Sequence, residues 1–185
     1  MSTPERAGGT AAQPLVYHYA AHARLGAICA TGALLPSNAG APGEPPLLWF
    51  SAHARWEPTA TKAVLDHRGR VRQLSFPEHL ALLGCCRFAL SAQDPRLMRW
   101  QDACDFAGTP PGEQLAMEAR GLKTGANPLE WFAIAAAVPL AQVELEVLTP
   151  GGWQSRTCSD AQLDWAARSP TAHPGLARLQ RRPLL

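Results

Sequence analysis

Between Leu15 and Leu35 the hydrophobic period changes within a single run, LVYHYAAHARLGAICATGALL, and this constrains the fold more than any other stretch. Leu15, Val16, Tyr17 and Tyr19 are strand formers, and Pro14 before them suits a strand start. From His22 onward Leu25, Ile28 and Cys29 recur at helical spacing, and Gly32 stands where a helix would stop. A strand-to-helix corner is therefore expected, with His18 near the strand end. A histidine there is either a hydrogen-bonded packing residue or a binding group.

The punctuation of the remaining chain decides the fold class. Seventeen Pro and fifteen Gly in 185 residues imply many short elements joined by tight turns, while six Trp and 46% hydrophobic residues imply a packed interior. That mixture predicts an α+β fold in one domain spanning residues 14–169, with a disordered N-terminal tail at 1–13 and a C-terminal tail at 170–185. A net charge of +2 supplies no strong field for nucleic acid or membrane. No run of about 20 apolar residues is present, so a soluble, cytoplasmic protein is expected, without a membrane partner. Five cysteines with no metal-binding spacing read as reduced thiols, and no metal is expected.

PSNAGAPGEPP, from Pro36 to Pro46, reads as a loop, and Leu47 to Phe50 as an interior strand. Pro58 is expected to open a short helix running through Thr61 to Val64. Asp66 to Gly69 reads as a turn, Val71 to Phe76 as a strand, Pro77 to Leu83 as a helical turn and Cys85 to Leu90 as a strand. Arg87 in that strand is either a snorkelling edge residue, the preferred reading, or a ligand-facing one. A helix is expected from Asp94, its cap, to Phe106, and another from Gly112 to Arg120 with Gly121 as its stop. Trp131 to Ala135 and Val143 to Leu148 read as strands, the second alternating with Glu144 and Glu146; beyond them come a turn at Gly151-Gly152 and a short helix from Asp160 to Arg168.

Three features stand in order: a histidine on an early strand, an aromatic on an interior strand, and a glutamate introducing a late strand. The order resembles the ADP-ribosyltransferase superfamily, in particular its His-Tyr-Glu branch, which includes the poly(ADP-ribose) polymerases. The L-x-H-G-[ST] motif of that branch resembles Val16-Tyr17-His18-Tyr19-Ala20, its I-L-x-x-G-L helix Ile28 to Leu34, and its G-[IL]-Y-F-[AS] motif Leu47-Leu48-Trp49-Phe50-Ser51. The glutamate motif resembles Pro128-Leu129-Glu130-Trp131-Phe132, with Val138-Pro139 also familiar in position. Two departures are Tyr19 in place of a small residue and Trp49 in place of the tyrosine.

The resemblance implies a split pair of small antiparallel-rich sheets with flanking short helices and NAD as a substrate bound between them. It implies catalytic roles for Glu130, His18 and Trp49, and cofactor contacts from His18, Tyr19, Trp49, Ser51 and Arg55. Glu130 would stabilise the oxocarbenium-like transition state, His18 would hold a ribose, and Trp49 would wall the nicotinamide slot. The acceptor would be a macromolecule, protein or nucleic acid, as for a toxin-like transferase; oligomeric state is not indicated. Alternatives are a catalytically silent binding module of the same fold and an RNA 2'-phosphotransferase-like enzyme. Glu57, behind Arg55-Trp56 in a loop, is a rival acid, while His22, His53, His67 and His79 read as surface or capping residues.

Overall fold

A computed structural model describes residues 13–38 and 43–168; the expected tails, apart from Gln13, and the middle of the Pro36–Pro46 loop lie outside the described residues. The strands are β1 (Leu15–Ala20), β2 (Ala33–Leu34), β3 (Leu48–Ser51), β4 (Ala63–Leu65), β5 (Val71–Gln73), β6 (Cys86–Ser91), β7 (Met98–Arg99), β8 (Trp131–Ile134), β9 (Val138–Pro139), β10 (Glu144–Thr149) and β11 (Gly152–Ser155). The helices are α1 (Leu25–Thr31), α2 (Phe76–Leu83), α3 (Trp100–Ala107), α4 (Pro111–Thr124) and α5 (Cys158–Arg168). The architecture is α+β.

Seven strands form one antiparallel sheet in the order β11-β10-β6-β1-β3-β8-β7, and β2-β9 and β4-β5 form two small ladders. The strands around the histidine are thus joined in one sheet where two small ones were expected. The reason lies in β1, which pairs along its whole length with β6, from Leu15↔Ser91 to Ala20↔Cys86, and meets β3 only at Tyr17↔Ser51. A single cross-strand pair links a four-stranded half to a three-stranded half.

Strand alternation sorts the sheet into two faces. On one, Val16, Ala20, Phe50, Phe88, Ile134, Leu145 and Val147 pack with Leu25 of α1 and Ala161 of α5. On the other, Ala133 meets Ala103 and Ala107 of α3, and Trp131 meets Trp100 and Cys104. The strand-to-helix corner forms as its period requires: β1 leads through a 3-10 turn, His22–Arg24, into α1, and Gly32 closes α1 at φ +69°.

Several local expectations are corrected. Pro58 opens only the 3-10 turn Pro58–Ala60, because Glu57 caps it by accepting from Thr59 N–H at 3.1 Å and the chain then enters the β4–β5 hairpin. Asp94 does not cap a long helix; its carboxylate accepts from the Arg96 N–H at 3.0 Å and its guanidinium at 2.9 and 2.7 Å, so α3 begins at Trp100. Arg87 is no edge residue: β6 lies between β1 and β10, and its side chain is buried. It donates to Glu146 at 2.7 Å and to the Ala54 carbonyl, with its guanidinium 4.0 Å from the Tyr17 ring centre and 4.3 Å from that of Trp153. Nor are all five cysteines free, because Cys29 and Cys158 are disulfide-bonded across 129 residues; spacing in the sequence carries no information about such a pairing.

Gly121 does not stop α4, which runs on to a left-handed cap at Gly125, φ +89°. Its hydrogen is needed elsewhere: a Cβ at 121 would lie 2.4 Å from Cη2 of Trp131. Gly121→Ala is expected to cost about 1–3 kcal/mol through overpacking. Gly112→Ala in the same helix, with nothing within 4 Å, should instead be neutral or add up to about 1 kcal/mol. Thermal denaturation of the two variants checks the contrast.

Candidate functional site

His18 is built into the junction between the two halves of the sheet. It pairs with Phe88 in β6, and its ring lies 5.9 Å from Phe50 and 6.3 Å from Phe88, on the face that carries the main core. Where the β1–β3 ladder opens beyond Tyr17–Ser51, the His18 Nδ1 bonds the Trp49 carbonyl at 2.9 Å. A carbonyl only accepts, so Nδ1 carries the hydrogen and Nε2 presents a lone pair. Burial holds the imidazole down at about 4, with the Trp49 carbonyl pulling the other way and the Lys62 ammonium adding to the depression. At neutral pH the ring is an uncharged acceptor with a fixed tautomer. That suits it to receive a hydrogen bond from a hydroxyl.

Trp49 does not share that face. Tyr17 and Ser51 are cross-strand partners and so lie on one side; alternation puts Trp49 with them and His18 opposite. The Trp49 ring lies 5.7 Å from Trp100, which in turn meets Trp131 edge-on at 5.0 Å. What Trp49 offers His18 is its carbonyl, not its indole.

Tyr19 also occupies the far face. Its hydroxyl donates to the His53 carbonyl, its ring meets Trp56 at 5.1 Å and Trp153 at 5.9 Å, and burial pushes the phenol up to about 12. Ser51 is buried there, donating to Glu57 Oε2 at 2.8 Å and accepting from the His53 N–H at 3.1 Å. Arg55 presents its carbonyl to Trp153 Nε1 at 3.1 Å, and its side chain is exposed. Of the five residues expected to contact the cofactor, His18 alone faces the main core.

The rival acid Glu57 is occupied structurally, accepting also from Thr59 N–H and Thr59 Oγ1 at 3.1 and 2.7 Å. Two histidines read as surface groups are buried instead: His22, bonded to the Ala161 carbonyl at 2.7 Å, and His79, whose Nδ1 accepts from the Lys62 N–H at 3.2 Å. Their partners are 139 and 17 residues away, beyond the reach of any local pattern.

Glu130 ends the 3-10 turn Pro128–Glu130 that feeds β8, a turn capped by Asn127, whose Oδ1 accepts from Leu129 N–H at 3.1 Å. Its carbonyl accepts from Ala52 N–H at 2.8 Å, extending the β3–β8 ladder one step past Ser51↔Trp131. His18 is therefore two strands across and two residues along, roughly 12 Å between Cα atoms at ordinary sheet spacings. Glu130 Oε1 accepts from Asn127 Nδ2 at 3.4 Å, while Oε2 is buried with no partner among the described residues. A buried carboxylate oxygen without a donor is uncommon, and among the described residues His79 Nε2 and Trp131 Nε1 share that condition. Asn127, the residue that meets both Glu130 and its turn, was legible only as part of a loop.

No group of three His, Cys, Asp or Glu able to hold a metal occurs among the described residues, and no described helix is long and apolar enough to cross a membrane. No family model matches the chain, and neither the curated proteins nor the solved structures contain a match.

The depressed pKa of His18 and of His79, also held at about 4 mainly by burial, has a consequence for stability. Because the unfolded state binds these protons near 6.5 and the folded state near 4, stability is complete above the higher value and falls as pH drops through that window. Glu78, held at about 2 chiefly by the Arg72 guanidinium, loses its contribution as pH falls from the ordinary value of 4.5 toward 2. His18→Asn, which can still donate toward the Trp49 carbonyl, should flatten the loss of stability between pH 6.5 and 4. Urea titrations across that range measure it.

Proposed function

We propose that this chain is an NAD-dependent ADP-ribosyl transferase or NAD hydrolase of the ADP-ribosyltransferase type. The observation that carries the reading is the buried, unpartnered Oε2 of Glu130. The C1'–N bond to nicotinamide breaks as the acceptor's nucleophile, or water, approaches C1' from the opposite side. Nicotinamide leaves as a neutral base and positive charge develops on the ribose. A carboxylate at that ribose stabilises the charge and accepts from its 2'-hydroxyl. His18, neutral and presenting Nε2, accepts from the hydroxyl of the other ribose; the Trp49 carbonyl fixes the tautomer that makes this acceptance possible.

Trp49 keeps a place in the proposal as the residue that orients His18, since its indole is packed with Trp100. Tyr19, Ser51 and Arg55 are not needed as cofactor contacts. The acceptor is proposed as a macromolecule, and the cytoplasmic location belongs to the same reading. A second reading, a catalytically inactive binding module of the ADP-ribosyltransferase fold, is favoured by one observation: the side chain of Trp49 is turned away from His18, leaving the nicotinamide slot without its expected wall.

Incubation of the purified protein with NAD, tracked by nicotinamide release, separates the readings. Glu130→Gln, which preserves shape and removes charge, should lower kcat by on the order of 100-fold while NAD still raises the melting temperature. Stabilisation by NAD without turnover in the unmodified protein selects the binding module. Neither stabilisation nor turnover with any acceptor refutes both.

A further inference from the structure

We infer that the Cys29–Cys158 pair is a thiol-reactive modification site, opened by small thiols of the glutathione class, and that its reduction releases α5 from the corner behind His18. The inference stands on the packing of α5 and does not depend on the proposed activity.

The first ground is how little else holds the helix. Cys158 is the first residue of α5 and Cys29 lies in the last turns of α1, their Cα atoms 6.0 Å apart. Along α5 only Ala161 is fully buried among the side chains described; Leu163 is 69% exposed. His22 bonds the Ala161 carbonyl at 2.7 Å and its ring lies 5.0 Å from that of Trp165. Even there the fit is incomplete, since a recess of about 240 Å³ lies between His22, Leu25 and Gly26 on one side and Gln162 and Trp165 on the other. The Arg156–Asp164 ion pair, 3.1 Å, joins the helix to the segment just before it. The disulfide is thus the covalent tie between α1 and a helix that buries little of its own surface.

The second ground is the separation of reactive from inert sulfur. Both bonded cysteines are half-buried at the margin of the core, less enclosed than the three free ones. Cys85, Cys86 and Cys104 are buried, and burial pushes their thiols up, Cys86 to about 12 and Cys104 to about 11. They supply essentially no thiolate, so exchange stays within one pair and does not scramble. In the reaction an external thiolate attacks one sulfur, the S–S bond breaks and the other sulfur leaves as a thiolate. A second external thiol resolves the mixed disulfide, and two electrons and two protons pass from the reductant to Cys29 and Cys158. In a reducing compartment such a bond is transient and responsive.

The structural change on reduction is confined to one region. α1 continues directly from the 3-10 turn after β1, so freeing α5 uncovers His22, Leu25 and Cys29 while the β-sheet ladders stay intact. Trp165 is the contact that α5 must also give up, since it is seated against Gly84, φ +62°, where a Cβ would lie 2.5 Å from the indole.

Hydrogen exchange read by mass spectrometry, on the full chain with and without reduced glutathione or dithiothreitol, tests the inference. Iodoacetamide should label Cys29 and Cys158 only after reduction, and Cys85, Cys86 and Cys104 in neither state. Amides of residues 159–167 should exchange roughly tenfold or more faster on reduction, those of β1 and β6 unchanged. The Cys29→Ser/Cys158→Ser double variant should match the reduced protein and no longer respond to thiol. Equal exchange of α5 in the oxidised and reduced protein, or thiol-responsive exchange in the double variant, would overturn it. Should the double variant not fold, the reduced unmodified chain supplies the same comparison.

Discussion

One hydrogen bond, from His18 Nδ1 to the Trp49 carbonyl, organises the centre of this molecule. It spans the place where β1 and β3, joined by the single pair Tyr17–Ser51, would otherwise part. The imidazole completes the junction and is in turn fixed by it. Its proton is committed to Nδ1, its charge is suppressed by burial, and its second nitrogen is left as an acceptor. Structure and chemistry at this position share one cause, so a change that frees the ring also loosens the sheet.

The two faces of the sheet divide the remaining work. The far face is a polar and aromatic network in which the prominent groups are committed: Arg87 between Tyr17 and Trp153, Tyr19 on the His53 carbonyl, Ser51 and Glu57 on each other. Such a face rigidifies the loop from Ala52 to Glu57 and leaves those groups little capacity for ligand. The near face carries His18, and at the mouth of β8 Glu130 keeps one buried oxygen unpartnered. Among the described residues His79 Nε2 and Trp131 Nε1 are likewise buried without a partner, and Glu130 is distinguished from them as the one carboxylate of the three.

Elements with their own local code were legible in the sequence. β1, α1 and its Gly32 stop, and β10 with Leu145 and Val147 inward, arise from period and punctuation alone. Elements whose identity depends on a distant partner were not. Arg87 reads as an edge residue until Glu146 and the Ala54 carbonyl are brought to it, and Gly121 reads as a stop until Trp131 occupies the space its missing Cβ leaves. For the site, His18 and Glu130 could be singled out by residue type and order. The face to which Trp49 turns could not, because one residue of register decides it and no spacing in the sequence fixes that register.

His18 is a neutral imidazole protonated at Nδ1, which leaves Nε2 as the acceptor. Long-range nitrogen–proton correlation NMR on histidine-labelled protein reads this directly. At pH 7 His18 should show a protonated Nδ1 and a non-protonated, pyridine-type Nε2, with the Nε2 resonance shifting when NAD is added. An imidazolium at His18, or the tautomer with the proton on Nε2, would contradict it.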